Sequence, residues 1–114
     1  MATILNVRET DSAVIAMPKV MRFDLLETDQ FRDELSALTS GSETRPLLID
    51  LSQVEFLVSA TLGVLAEVGK HCRDTARPLA LIRLKPKILH VIKSCALDQV
   101  LAIHADEDEA LATP

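Results

Sequence analysis

LIDLSQVEFLVSATLGVL, from Leu48 to Leu65, changes its hydrophobic period midway. With Pro46 and Leu47 ahead of it, Leu48-Ile49-Asp50-Leu51 makes a short, nearly continuous apolar run ending at Leu51. Such a run suits a strand buried on both faces, as in a sheet covered by helices. Ser52-Gln53-Val54-Glu55 breaks it as a loop. From Ser59 the period becomes helical and continues to about Asp74, with Leu62, Leu65, Gly69 and Cys72 on the inner face. Glycine weakens a helix, so Gly69 is expected at a close packing contact.

The flanking segments repeat this alternation. Downstream, Leu79 to Leu84 reads as another apolar strand, introduced by Pro78. Pro86 opens a third helix, where its missing N–H costs nothing. Ile88, Val91, Ile92 and Cys95 are its expected buried face. Val100 to Ile103 is a last short strand, and the Asp106/Glu109 spacing starts a terminal helix to about Ala112. Upstream, Thr3 to Arg8 and Ser12 to Met17 read as strands joined by a turn at Thr10-Asp11-Ser12, with Pro18 ending the second. Asp24 to Thr39 reads as a helix: Asp24 and Glu27 have capping-box spacing, and Phe31, Leu35 and Leu38 share a face. Ser40-Gly41-Ser42 closes it. The order β-β-α-β-α-β-α-β-α predicts an α/β fold, a single mixed sheet of about five strands with about four helices and a mainly parallel centre.

A chain of 114 residues is the size of one domain, so residues 1–114 are read as one unit. Hydrophobic residues make up 48% and charged residues 25%, which predicts folding rather than disorder. Trp and Tyr are absent, so the core must be aliphatic and no stacking platform for bases is available. A net charge of −5 repels phosphate backbones, which argues against nucleic acid as a partner. Cys72 and Cys95 are expected as buried thiols in a reducing compartment. Met1 to Val7 lacks a signal-peptide pattern, and no apolar stretch approaches the ~20 residues of a membrane span, so a cytoplasmic protein without membrane insertion is expected.

Catalytic signals are missing. Gly41, Gly63 and Gly69 are the only glycines, and they form no phosphate loop. His71, His90 and His104 are scattered, without metal-ligand spacing, and no glycine elbow surrounds a serine. No cofactor, metal or enzymatic activity is expected. Ser59 stands where the chain enters a helix, where free N–H groups and the positive dipole end would hold a phosphate. The plain alternative is an ordinary N-cap. Asp24 has a plain reading too, as half of its capping box. One of Leu25 and Leu26 can face outward and join Val58 in an apolar contact patch. Arg83, Lys85 and Lys87 are read as a solvated loop or, alternatively, a patch for an anionic partner.

The chain resembles the STAS domains, and especially the bacterial anti-sigma-factor antagonists. Their pattern is an apolar strand ending in Asp-Leu, a loop, then Phe-apolar-Asp-Ser-(Ser/Thr/Ala)-Gly-apolar-Gly opening a helix. It stands here as Leu48-Ile49-Asp50-Leu51, then Ser52 to Glu55, then Phe56-Leu57-Val58-Ser59-Ala60-Thr61-Leu62-Gly63. Phe23-Asp24 matches the pair opening the family's first helix, and Pro86 to Leu97 and Asp98-Gln99-Val100-Leu101 match its later segments. The resemblance implies that Ser59 is the serine a partner kinase phosphorylates, and that Asp24 is an acidic residue near it. It implies a docking surface for an anti-sigma-type serine kinase made of Asp24, Leu25, Phe56, Leu57, Val58, Ser59, Ala60, Thr61 and Gly63. Phosphate would block that contact, and a partner phosphatase would reset it.

Three positions depart from the pattern. Val58 replaces the motif aspartate, Thr61 replaces the first motif glycine, and no glycine stands near Met21. Thr61 is a substitute acceptor or, more plainly, a first-turn helix residue. Two rivals remain at this level. One is a non-phosphorylated STAS scaffold or constitutive adaptor in a signalling or lipid-transport assembly. The other is a small-ligand or nucleotide sensor at the Ser59 helix end. The expected oligomeric state is a monomer or weak homodimer.

Overall fold

The structure is a computed structural model that describes residues 3–112. Strands β1 (Leu5–Glu9), β2 (Val14–Pro18), β4 (Leu47–Asp50), β6 (Leu79–Ile82) and β7 (Ala102–His104) form one sheet in the order β1-β2-β4-β6-β7. β1 runs antiparallel to β2, and the other pairings are parallel. This is the expected mixed sheet. Helices α1 (Leu25–Thr39), α2 (Ser59–Asp74), α3 (Pro86–Ser94) and α4 (Glu107–Ala112) complete it. A 3-10 turn, Leu97–Gln99, precedes β7.

Side-chain alternation explains how both faces are filled. Val14, Ala16, Leu47, Ile49 and Leu81 point into the main core, with Phe31 and Leu35 of α1, Val64, Leu65 and Cys72 of α2, and Ile88 and Ile92 of α3. Ala13, Ile15, Leu48, Ala80 and Ile82 point the other way, where Ala110 and Leu111 of α4 pack on them. Strands β4 and β6 are therefore apolar at nearly every position because both their faces are covered. Three crossover helices lie on one side and a single short helix on the other.

Gly69 is where the close approach occurs: a Cβ there would lie 2.5 Å from Leu101 Cδ2. The Asp106/Glu109 start of α4 forms as expected, with the Glu109 amide donating to Asp106 Oδ1 at 2.9 Å. Two differences have physical reasons. Cys72 is buried, whereas Cys95 is exposed. Ile88 and Ile92 already fill the inner face of α3, and left-handed Ala96 (φ 62°) carries the chain away directly after Cys95. The second is an extra two-stranded sheet: β3 (Arg22–Phe23) pairs in parallel with β5 (Phe56–Leu57). Two-residue strands carry no periodicity, so no alternation marks them in the sequence.

Candidate functional site

The small β3/β5 sheet places the site. Its register sets Arg22 beside Phe56 and Phe23 beside Leu57. The amides of Glu55 and Phe56 both donate to the Met21 carbonyl, at 2.8 and 3.1 Å. Phe23 is fully buried and meets the Phe31 ring at a centroid distance of 4.9 Å, which anchors β3 to the core. Outside, the Arg22 guanidinium lies 4.3 Å from the centre of the Phe56 ring, and its Nε is 3.9 Å from Asp24 Oδ2. Each strand runs directly into a helix, so α1 and α2 start side by side and point the same way.

The two starts are built differently. Asp24 is the N-cap of α1 and forms a capping box with Glu27, whose Oε1 accepts from the Asp24 amide at 3.1 Å. The N-cap of α2 is Val58, extended at φ −99° and ψ 169°, with no side-chain cap. Ser59 is therefore the first helical residue and not the N-cap. Thr61 explains the shift of one position. Its side chain is 1% exposed, and its hydroxyl lies 2.8 Å from that of Thr28 inside the α1–α2 interface. The Thr28 hydroxyl donates to the Asp24 carbonyl at 2.7 Å, so in this pair Thr61 donates to Thr28. Facing Thr61 inward turns Ser59 out to solvent. Thr61 thus sits buried in the first turn of α2, whereas Ser59 is exposed.

Around Ser59 the surface is unusually apolar. Met21, Leu25 and Leu26 are 59%, 67% and 64% exposed. Both leucines face outward, where one was expected. Phe56, Leu57, Val58 and Ala60 are half-buried, with Leu57 packed against the core. Gly63, one turn beyond Ser59, is exposed, and a Cβ there would meet nothing within 4 Å. The second motif glycine thus relieves no crowding inside the chain. Asp24 is exposed at the neighbouring helix start. Met21 and the Arg22–Phe56 stack are parts of this surface that sequence reasoning missed. Their signal is Arg22-Phe23 ahead of a cap residue, which is too short to be read as a strand.

Other sequence candidates resolve more plainly. Arg83 Nε reaches the buried Asp50 carboxylate at 3.5 Å, and Lys85 Nζ reaches Glu55 at 3.8 Å. These basic residues thus have acidic partners within the fold. Burial pushes the Cys72 thiol pKa up, as expected of an inert core cysteine. His71 and His90 are exposed and His104 is half-buried. Among the described residues no group of His, Cys, Asp and Glu could hold a metal ion, and no helix is long and apolar enough to cross a membrane.

Comparison with known proteins agrees with this architecture. The profile of the family described as "Mlab, STAS domain" matches residues 21–103. The anti-sigma-F factor antagonist RsfA of Mycobacterium tuberculosis is 23% identical over 108 residues, covering 94% of this chain and 84% of the relative. An anti-sigma-factor antagonist (STAS) domain protein from Planctomyces limnophilus superposes with a TM-score of 0.81 at 25% identity, covering 95% of this chain and 94% of that one. The phosphorylated form of the Bacillus cell fate determinant SpoIIAA has the same fold, with a TM-score of 0.70 at 18% identity, covering 95% and 96%.

Proposed function

Because the chain belongs to the STAS family, we propose that it is a protein-interaction switch of the anti-sigma-factor antagonist kind, docking an anti-sigma-type serine kinase and controlled by phosphorylation of Ser59. One observation carries the reading. An exposed serine is the first residue of a helix without a side-chain cap, next to exposed Met21, Leu25 and Leu26. The apolar side chains supply contact area for a protein partner. The serine supplies the control: a phosphate there meets the open N–H groups and the positive end of the helix dipole. It also adds roughly −1.5 to −2 charges to the docking face. Leu25, Phe56, Leu57, Val58, Ala60 and Gly63 belong to that face in this reading, with Asp24 at its edge. A phosphatase would return the face to its docking state. RsfA, by its name an antagonist of an anti-sigma factor, and SpoIIAA, known in a phosphorylated form, support the same reading.

Val58 favours one rival, the unregulated STAS scaffold. A valine N-cap leaves no acidic group beside Ser59 for a kinase or phosphatase to read. The two readings separate in a capture experiment from lysate of the source cells, with wild type, Ser59→Ala and Ser59→Asp as baits. The switch reading expects a serine kinase, identified by mass spectrometry, on wild type and Ser59→Ala but not on Ser59→Asp. Equal capture by all three baits would leave the scaffold.

A further inference from the structure

The far side of the sheet carries a second feature, which neither the docking face nor the switch uses. A cleft of about 350 Å3 lies between α4 and the sheet. Pro46 and Pro78, which precede β4 and β6, form its rim. Ser59 opens α2, which packs on the main-core face, so the cleft lies on the opposite face of the sheet. We propose that this cleft binds a small, uncharged, apolar molecule carrying one hydrogen-bond donor.

The cross-strand register makes the hollow. On this face Ile15 pairs with Leu48, Leu48 with Ala80, and Ala80 with Ala102. Side-chain volume thus shrinks from β2 toward β7. Alanine is a poor strand residue, and two alanines stand side by side here. On the other face the neighbouring pair is Leu81 and Ile103, both part of the main core packing. The overlying helix adds little, since no residue of α4 is fully buried and only Ala110 and Leu111 reach the sheet cluster. A packed interior normally closes such space. The volume falls within the ~300–1,000 Å3 of small-molecule clefts.

Charge selects the ligand class. Arg8 is paired with Glu107, and His104 Nδ1 lies 3.2 Å from Glu109. None of the residues lining the cleft is Lys, Arg, Asp or Glu. An ionic ligand would lose its hydration there without gaining a partner. Apart from His104, the lining is proline, leucine and alanine. Nδ1–H donates to the Glu109 carboxylate, and the tautomer this selects leaves Nε2 of His104 as an acceptor for a ligand. An apolar body with one donor matches that wall.

The test uses the whole chain, labelled at its methyl groups, and two probes: 1-octanol, uncharged, and octanoate, its anionic counterpart. NMR titration should give saturable shifts at Leu48 and Leu111 with 1-octanol, and binding about tenfold weaker or worse with octanoate. Ala102→Leu, at an exposed edge-strand position, and Ala110→Leu should each abolish the shifts while the spectrum stays folded. Absence of saturation, shifts centred on the Met21–Leu25–Leu26 surface, or titrations unchanged in both variants would overturn the proposal. Shifts at the same leucines that follow protein concentration instead of probe would also overturn it, by showing a second copy on this face.

Discussion

α1 and α2 leave the same small sheet side by side, and their first turns solve one problem in two ways. α1 satisfies its leading amides with its own side chains, through the Asp24–Glu27 box. α2 starts from a valine and has no side-chain cap. The closed start is held by its own side chains. The open start belongs to the helix that carries the exposed serine. An N-terminal turn without a cap is less stable but able to receive an anion, and the buried Thr28–Thr61 pair holds it in place from beneath.

The largest effect should come from that pair. Thr28→Val leaves the Thr61 hydroxyl buried without its acceptor and should cost about 1–3 kcal/mol, read from urea unfolding. The double variant Thr28→Val/Thr61→Val should recover much of the loss, because no hydroxyl is then stranded. If the double variant is worse than the single one, the two helix starts are not coupled through this bond. Next is the closed start: Asp24→Ala should lower stability by about 1 kcal/mol. A change near zero would mean that the Asp24 cap is idle and that the two starts differ in appearance only. The smallest effect should be Val58→Ser, which gives α2 a cap but removes a half-buried apolar side chain. These offset to within about 0.5 kcal/mol, while amide exchange of Ser59 to Thr61 slows. Unchanged exchange would show that the first turn of α2 was never open.

Sequence patterns reached the five-stranded sheet and its helices because each element carries a strong signal. Pro46 to Leu51 and Leu79 to Leu84 are apolar runs, and Pro86 and Asp24 mark helix starts. The β3/β5 pairing escaped, since two residues cannot display a period and what stabilises Phe23 is a distant ring, Phe31. The start of α2 at Ser59 was legible, but the plain alternative of Ser59 as its N-cap gives way to Val58 for a related reason. Serine is the better cap by propensity. Thr61 must nevertheless face Thr28, and that long-range bond sets the phase of the helix. Cys95 was placed inside by the apolar spacing of α3, which cannot show that the helix ends at Ser94. At the start of α1, the outward turn of both Leu25 and Leu26 was only half legible, because periodicity marks the buried stripe and leaves the opposite face open.

The contrast between the two helix starts has functional meaning only if the open one receives a phosphate. Site mapping by tandem mass spectrometry, on the protein recovered from its own cells, tests this directly. A single phosphate on Ser59, with Thr61 unmodified and the modification absent in Ser59→Ala, is the expected result. Phosphate on Thr61, or an unmodified Ser59 in cells where a kinase that binds this domain is active, would contradict it.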